Sequence, residues 1–122
     1  MNHHFITFNK DEIIFLEGRP SHCAYIIESG KIGIYREDSS GNRFLVRKLS
    51  KNDLFGEMSL IDKYPRSATA IALKNTRCMI IERSRFDYLT KFNPQFMVRL
   101  IKSLTEKLRT TIAKLNKAQP LR

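Results

Sequence analysis

The sequence predicts a mainly β domain of the α+β class: an antiparallel, jelly-roll-like β-roll followed by C-terminal helices. Six short segments rich in Ile, Val, Tyr and Phe, separated by turn-forming residues, fill the first two thirds of the chain. The last third changes to the period of amphipathic helices. Because 122 residues suffice for one real core but not for two, we expect a single domain over residues 1–122.

The predicted strands are the closely spaced apolar segments. They cover residues 12–17, 23–28, 31–36, 43–49, 67–74 and 76–82. Glycine, serine, asparagine and proline mark the turns between them, for example at residues 18–21 and 38–42. Strands spaced in this way favour a roll or small barrel, which we place at about residues 5–83.

Two helices are predicted at about residues 84–118. Ser84 can cap a short helix over residues 85–91, and Pro94 can open a long helix over residues 94–117. The long helix carries a heptad-like seam of Met97, Ile101, Leu104, Leu108, Thr111 and Leu115. Two interpretations remain open: the seam packs on its own domain, or part of it meets the same helix of a second chain.

The composition favours a cytoplasmic protein without a membrane span. No apolar run approaches the roughly 20 residues that a spanning helix needs. The first residues lack the basic and apolar regions of a signal peptide. Cys23 and Cys78 lie in apolar segments without CxxC spacing, so we expect buried free thiols.

The sequence gives no basis for catalysis or for a metal site. The histidines have no acidic or thiol partners at ligand spacing, and two cysteines alone cannot hold an iron–sulfur cluster. No serine–histidine–carboxylate set and no carboxylate pair stands out. We therefore expect no enzyme, no catalytic residue, no metal and no catalytic cofactor.

The charge favours anionic partners. The chain has 22 basic and 12 acidic side chains, a formal net charge of +10. Such an excess favours a nucleotide, nucleic acid, a membrane surface or an acidic protein. The basic residues are spread along the whole chain, however, so a solvated basic surface is an alternative explanation.

Residues 55–70, which read FGEMSLIDKYPRSATA, are the most informative segment. A glycine turn leads into a short helix with a carboxylate, Glu57, and Arg66 follows nine residues later, directly after Pro65. Amide N–H groups at a helix start attract anions, and an arginine can bind phosphate oxygens bidentately. Because Glu57 can accept a hydrogen bond from a sugar hydroxyl, the segment suits a small ligand with both a phosphate and a ribose.

Residues 55–70 closely resemble the phosphate-binding cassette of the cyclic nucleotide-binding domain family, and we call them the cassette. The family pattern runs Phe-Gly-Glu, a small apolar helix, then Pro-Arg-Ser/Ala-Ala-Thr, and every position is filled here. The resemblance extends to residues 17–18, 25–32, 53–57, 86–89 and 93–94. It implies a β-roll like that of the cAMP receptor protein, with a hinge helix and a long C-terminal helix across the ligand mouth.

The resemblance also implies the roles of cassette residues. Arg66, the Ser67 hydroxyl and the Ala68 amide would bind the exocyclic phosphate oxygens, and Glu57 would bind the ribose 2′-hydroxyl. Serine at position 67, where threonine is associated with cGMP, favours cAMP as the ligand over cGMP. The remaining cassette candidates for ligand contact are Phe55, Gly56, Met58 and Ser59.

Three further candidates lie on the long helix. Thr111 stands where bacterial cAMP-dependent regulators carry a threonine that binds the adenine, although Ile112 replaces the serine that follows there. If Thr111 does not make this contact, its neighbour Thr110 is the next candidate. Lys107 occupies a place where the family can carry a basic residue paired with the cassette glutamate. The alternatives are a threonine bonded to its own helix backbone and a solvated lysine.

We therefore expect a sensor of cyclic nucleotide that signals through movement of its C-terminal helix, towards a partner protein or a second copy. Two alternatives remain: a docking module of the same fold that binds no nucleotide, and a basic nucleic-acid-binding domain. The chain ends four residues after Ala118, without a helix-turn-helix segment, so we expect sequence-specific DNA binding to be improbable.

Overall fold

The structure is a computed structural model that describes residues 4–118, with eight strands and three helices. The strands are β1 Phe5–Phe8, β2 Ile13–Phe15, β3 Cys23–Ser29, β4 Ile32–Glu37, β5 Arg43–Leu49, β6 Leu54–Phe55, β7 Thr69–Ala72 and β8 Thr76–Glu82. The helices are α1 Met58–Asp62, α2 Arg83–Phe92 and α3 Pro94–Ala118. The prediction of a mainly β fold with C-terminal helices is confirmed.

The strands form two four-stranded sheets in which every pairing is antiparallel. The first sheet has the order β1-β8-β3-β6, and the second has the order β2-β7-β4-β5. Consecutive strands therefore alternate between sheets at several points, as expected of a roll. This arrangement brings the end of β6, which begins the cassette, against β3.

The main core lies between the two sheets. Alternate residues of β3, Tyr25 and Ile27, point into it and meet Ile32 and Leu49 from the second sheet. The Tyr25 ring stacks on Phe55, with ring centroids 5.1 Å apart. An aromatic wall therefore extends from the core to the first residue of the cassette.

A second core lies on the other face of the first sheet, beneath the helices. It contains Ala24 and Ile26, the residues of β3 that alternate with those of the main core. Phe86 of α2 and Phe96 of α3 meet edge to face at 5.7 Å between centroids. Burial on both faces of β3 fixes the positions of the helices relative to the sheets.

The predicted elements differ from the structure in their boundaries and in two short strands. Strands β1 and β6, of four and two residues, were not predicted because they are too short to show alternation. The strand predicted at residues 67–74 is only Thr69–Ala72. Glu82, and not Ser84, is the N-cap residue of α2.

The predicted seam of α3 is divided between two faces of the helix. Met97 and Leu104 pack against the core beneath the helices, so these two positions serve the domain itself. On the outer face, Ile101, Leu108 and Leu115 of the predicted seam lie with Val98 and Ile112, and each of these five side chains is between 46% and 62% exposed. Together with the exposed Thr105, we call this set the outer seam.

Both cysteines are free thiols. Cys78 is fully buried in the main core, whereas Cys23 at the start of β3 is only partly buried. Burial disfavours the thiolate and raises the pKa of Cys78 to about 12. Cys78 is therefore a packing residue of the core.

Residues 4–118 contain no helix that is both long and apolar enough to cross a membrane. Over the same range, no group of three or more His, Cys, Asp or Glu side chains could hold a metal ion. His3, one of the histidines considered above, lies outside the described residues.

We predict that the Cys78 thiol is unreactive in the folded protein. With a pKa of about 12, only about one Cys78 thiol in 10⁴ is ionised at pH 8, and burial blocks access to it. A Cys23→Ser variant isolates Cys78 for labelling with a chromogenic disulfide reagent. We expect almost no reaction in buffer and one thiol per chain in denaturant. Full labelling of the native variant within minutes would contradict this packing.

Candidate functional site

An open cavity of about 530 Å³ lies beneath α3, bounded by the cassette and by the second sheet. Its apolar wall comes mainly from strands, and its polar groups come from the cassette and from α3. The lining contains ten of the candidate residues, namely Phe55, Gly56, Met58, Ser59, Arg66, Ser67, Ala68, Lys107, Thr110 and Thr111. The eleventh, Glu57, lies between two lining residues and contacts a third, Lys107.

Arg66 is held in a fixed position at the cavity. Its side chain is only 5% exposed. Its Nη1 and Nη2 groups donate hydrogen bonds to the carbonyl oxygens of Gly56 and Cys23, each at 2.8 Å. The guanidinium carbon lies 3.9 Å above the centre of the Phe15 ring, a cation–π contact. Two carbonyls and one ring therefore set the direction of the guanidinium before any ligand is considered.

The Arg66 guanidinium retains capacity to bind an anion. Its buried Nε has no hydrogen-bond partner within the described residues. Burial lowers the pKa of Arg66 below its ordinary value, and nearby Cys23, Tyr25 and Glu57 offset this shift only in part. Because an arginine pKa begins so high, the side chain stays charged at neutral pH. The site therefore contains a buried cation, and the oxygen atoms that accept its hydrogen bonds belong to neutral carbonyl groups.

Gly56 is required where it stands, for two reasons. Its φ of +78° lies in the left-handed region that favours glycine. A Cβ atom at this position would also lie 2.6 Å from Arg66 Nη1. The glycine therefore allows the chain both to turn into α1 and to accept the hydrogen bond from Arg66.

Glu57 is the second charged group of the site, and it is fully buried. Its Oε1 accepts a hydrogen bond from Lys107 Nζ at 2.5 Å and one from Ser103 Oγ at 3.1 Å. A buried carboxylate is tolerated only when it is paired and hydrogen-bonded, and α3 supplies both. In the part of the chain that the structure describes, Glu57 Oε2 has no partner.

The two threonines of α3 line the cavity but also bond to their own helix. Thr110 Oγ1 donates to the carbonyl of Glu106, and Thr111 Oγ1 donates to that of Lys107, each at 2.9 Å. This is the local bonding that serine and threonine often make in helices. Each hydroxyl still has lone pairs that can accept a hydrogen bond, so the base-contact role of Thr111 stays a prediction.

Sequence reasoning missed the far side of the cavity, which comes from the hairpin of β4 and β5. Its apolar members include Ile34, Phe44 and Val46. Its cations are Arg36 and Arg47, and α3 adds Lys114. With Arg66 and Lys107 the lining has five cations against one carboxylate, Glu37, so the cavity suits an anionic ligand. No local pattern marks these residues, because only the sheet register brings them to the cassette.

Arg47 also connects the hairpin to α3. Its Nη2 donates a hydrogen bond to Glu106 Oε2 and forms an ion pair with it. Glu106 precedes Lys107, so two neighbouring residues of α3 hold opposite sides of the cavity. Two ion pairs, at Glu106 and Lys107, therefore hold one turn of α3 across the cavity.

A second cavity, of about 350 Å³, lies between the first sheet and the elbow of α2 and α3. Its lining includes Met79, Leu89 and Phe96, with Arg85 and Arg99 among its polar residues. It contains no cassette residue and neither of the buried charges, Glu57 and Arg66. The cavity at the cassette is therefore the better candidate site.

A family model described as the cyclic nucleotide-binding domain matches residues 5–92, which run from β1 to the end of α2. The chain belongs to the cyclic nucleotide-binding domain family. The match includes the whole cassette, so the buried arginine and carboxylate described above lie within the family's own region. The resemblance inferred from residues 55–70 is confirmed at the level of the family.

Two of the curated relatives of this cyclic nucleotide-binding domain are longer regulatory proteins. The CRP-like cAMP-activated global transcriptional regulator of Mycobacterium tuberculosis is 30% identical over 106 residues, covering 87% of this chain and 47% of the relative. The cAMP-dependent protein kinase regulatory subunit of Dictyostelium discoideum is 33% identical over 87 residues, covering 69% and 27%. The chain thus spans less than half the length of each.

Among solved structures, the Catabolite Activator Protein of Thermus thermophilus matches with a TM-score of 0.85 and 28% identity. The match covers 95% of this chain and 55% of that one. It therefore extends beyond residue 92 and includes most of α3, so the helix across the cavity has a counterpart in that structure.

We predict that Gly56→Ala lowers the free energy of unfolding more than a matched glycine substitution does. The control is Gly41→Ala, at a similar φ of +83° but with no atom within 4 Å of the added Cβ. Both variants strain the backbone, whereas only Gly56→Ala displaces Arg66. We expect a difference of about 1–3 kcal/mol in denaturant unfolding. Equal losses of unfolding free energy in the two variants would show that the close approach of Arg66 to Gly56 does not contribute to stability.

Proposed function

We propose that this cyclic nucleotide-binding domain is a non-catalytic sensor whose ligand is cAMP. The proposal is carried by two buried charges beside one cavity. Within residues 4–118, Arg66 in the cavity lining has an unpartnered Nε, and Glu57, between the lining residues Gly56 and Met58, has an unpartnered Oε2. A nucleotide with one cyclic phosphate and one free ribose hydroxyl complements these two groups.

The phosphate is assigned to Arg66 and to the residues after it. Arg66 offers its Nε–H, Ser67 offers its exposed hydroxyl, and Ala68 offers its backbone amide. Hydrogen bonds between charged groups contribute roughly 1.5–3 kcal/mol each. The positive lining of the cavity adds long-range attraction for an anion.

The ribose is assigned to Glu57, whose Oε2 would accept the 2′-hydroxyl proton. A nucleotide without this hydroxyl would leave a buried acceptor unsatisfied, so the site selects ribose over deoxyribose. The base lies towards the hairpin wall and α3, where Thr111 is the predicted contact. The preference for cAMP over cGMP is supported by Ser67 and by the names of the two curated relatives.

The signal is proposed to be a shift in the population of α3 positions. In the structure α3 crosses the cavity and is fastened by Lys107 and by Glu106 on opposite sides. A ligand that contacts both the cassette and α3 binds the closed arrangement better than an open one, and so favours it. The outer face of the same helix then transmits the change to a partner.

We predict that Arg66→Ala weakens cAMP binding about 10- to 100-fold, because the charged hydrogen bond from Nε to the phosphate is lost, worth roughly 1.5–3 kcal/mol, and about 1.4 kcal/mol is tenfold. Isothermal titration measures this, with cGMP run alongside. Arg66→Lys should not restore binding, since an ammonium lacks the planar fork. The control is Arg43→Ala, an exposed arginine of β5 outside the cavity lining, which should bind like the original protein.

Each alternative gives a different result in the same titration. A folded protein that binds neither nucleotide would favour the docking module. Affinity for duplex DNA that falls steeply with salt, without saturable nucleotide binding, would favour a nucleic-acid-binding domain. Equal cAMP affinity in the Arg66→Ala and Arg43→Ala variants would contradict the assignment of the phosphate to Arg66.

We further propose that the partner reached through α3 is a second copy of this chain, in parallel orientation. The outer seam is a complete heptad pattern, with Val98, Thr105 and Ile112 at a positions and Ile101, Leu108 and Leu115 at d positions. β-branched residues at a with leucine at d favour parallel two-stranded coiled coils. The neighbouring e positions hold Lys102 and Arg109, which would face each other and repel in an antiparallel pair.

We predict that Leu108→Glu shifts the protein to a monomer, because it buries a charge at the centre of the proposed seam. The matched control is Ala113→Glu, which places the same charge at an exposed b position of α3. Sedimentation velocity over a concentration series measures both. If the Leu108→Glu variant associates like the control, the outer seam is not the contact between copies. If the unmutated protein is a monomer, the partner is not a second copy of the chain.

A further inference from the structure

One carboxylate serves both the cavity and α3. Glu57 Oε1 is bound by two side chains of α3, Lys107 and Ser103, which lie one helical turn apart on the same face. Its Oε2 is the atom left for a ligand. Lys107 supplies the opposite charge, so the contribution of the Ser103 hydroxyl must be something other than charge neutralisation.

Ser103 has two acceptors and one proton to donate. Its Oγ lies 3.1 Å from Glu57 Oε1 and 3.2 Å from the carbonyl oxygen of Leu54, and both atoms are acceptors. The hydroxyl can therefore donate fully to only one of them at a time. Leu54 belongs to β6, which leads into the cassette, so Ser103 joins α3 either to the strand or to the carboxylate.

A carboxylate on a flexible side chain needs more than one contact to be oriented. Lys107 Nζ is a point charge on a long chain that is 29% exposed, and an ammonium imposes little direction. The Ser103 hydroxyl is carried on a short side chain whose backbone is fixed in α3, so the position of its oxygen is restricted more tightly than that of the Lys107 ammonium. The orientation of the carboxylate plane, and so of Oε2, depends more on Ser103 than on Lys107.

We propose that Ser103 is a positioning residue for sugar recognition: it orients Glu57 so that Oε2 meets the ribose 2′-hydroxyl. This inference rests on the proposed nucleotide binding. Ser103 itself does not line the cavity at the cassette, and it acts through Glu57.

A merely structural role for Ser103 gives a different expectation. If the hydroxyl only bonds the Leu54 carbonyl, its removal loosens α3 and weakens every nucleotide equally. If it orients Glu57, its removal weakens only ligands that use Oε2. The ratio of affinities for cAMP and 2′-deoxy-cAMP therefore separates the two roles, because the second nucleotide lacks the hydroxyl that Oε2 would accept from.

The test is isothermal titration of the full chain with cAMP and 2′-deoxy-cAMP. We expect Ser103→Ala to weaken cAMP binding about 3- to 10-fold, the size of one partly lost charged hydrogen bond, and to leave 2′-deoxy-cAMP binding unchanged. Ser103→Thr, which keeps the hydroxyl, should restore the ratio. Ser84→Ala removes an exposed serine hydroxyl on α2 and should change neither affinity.

A double-mutant comparison controls for a general loss of folding. In Glu57→Gln the carboxylate is absent, so adding Ser103→Ala should change cAMP affinity much less than it does in the original protein. Equal weakening of both nucleotides by Ser103→Ala, or none, would overturn the role of Ser103 while leaving the proposed function intact. Absence of binding to either nucleotide by the original protein would overturn both.

Discussion

Arg66 joins three separate parts of the chain at one point in the interior. Its guanidinium bonds the carbonyls before α1 and at the start of β3, and it covers the Phe15 ring of β2. Its backbone also exchanges hydrogen bonds with the turn at residues 18–19. The shape of the cassette thus depends on a charged side chain held by neutral groups. The same hydrogen bonds that stabilise the loop fix the direction of a cation at the cavity.

Glu57 places a second constraint on the same region, and α3 satisfies it. The fully buried carboxylate obtains its opposite charge and its hydroxyl donor from one turn of that helix. The opposite face of α3 carries the outer seam, so one rigid helix presents the cavity on one side and an apolar stripe on the other. A displacement of α3 at the cavity would therefore also displace the outer seam.

The cassette could be predicted from the sequence because its chemistry is local. Gly56, Glu57 and Arg66 lie within eleven residues. Gly56 and Arg66 line one cavity, and Glu57 lies between the lining residues Gly56 and Met58. The position of Arg36 and Arg47, on β4 and β5, at the cavity could not be predicted, since pairing between distant strands determines it. The predicted seam combined residues of two stripes on α3, because both stripes share the heptad period, and only packing on the first sheet shows that Met97 and Leu104 face inwards.

Electrostatics explains why a small anion fits this site better than a polymer does. Within residues 4–118 the side-chain hydrogen bonds of Arg66 to oxygen reach carbonyls and not a carboxylate, so none of them supplies an opposite charge. An anion at Nε would supply a full opposite charge in a region of low dielectric, where the attraction is strongest. A nucleic acid backbone cannot reach a guanidinium that is 5% exposed without opening the cassette. A single cyclic phosphate would have access from the cavity, whose apolar wall leaves room for a base.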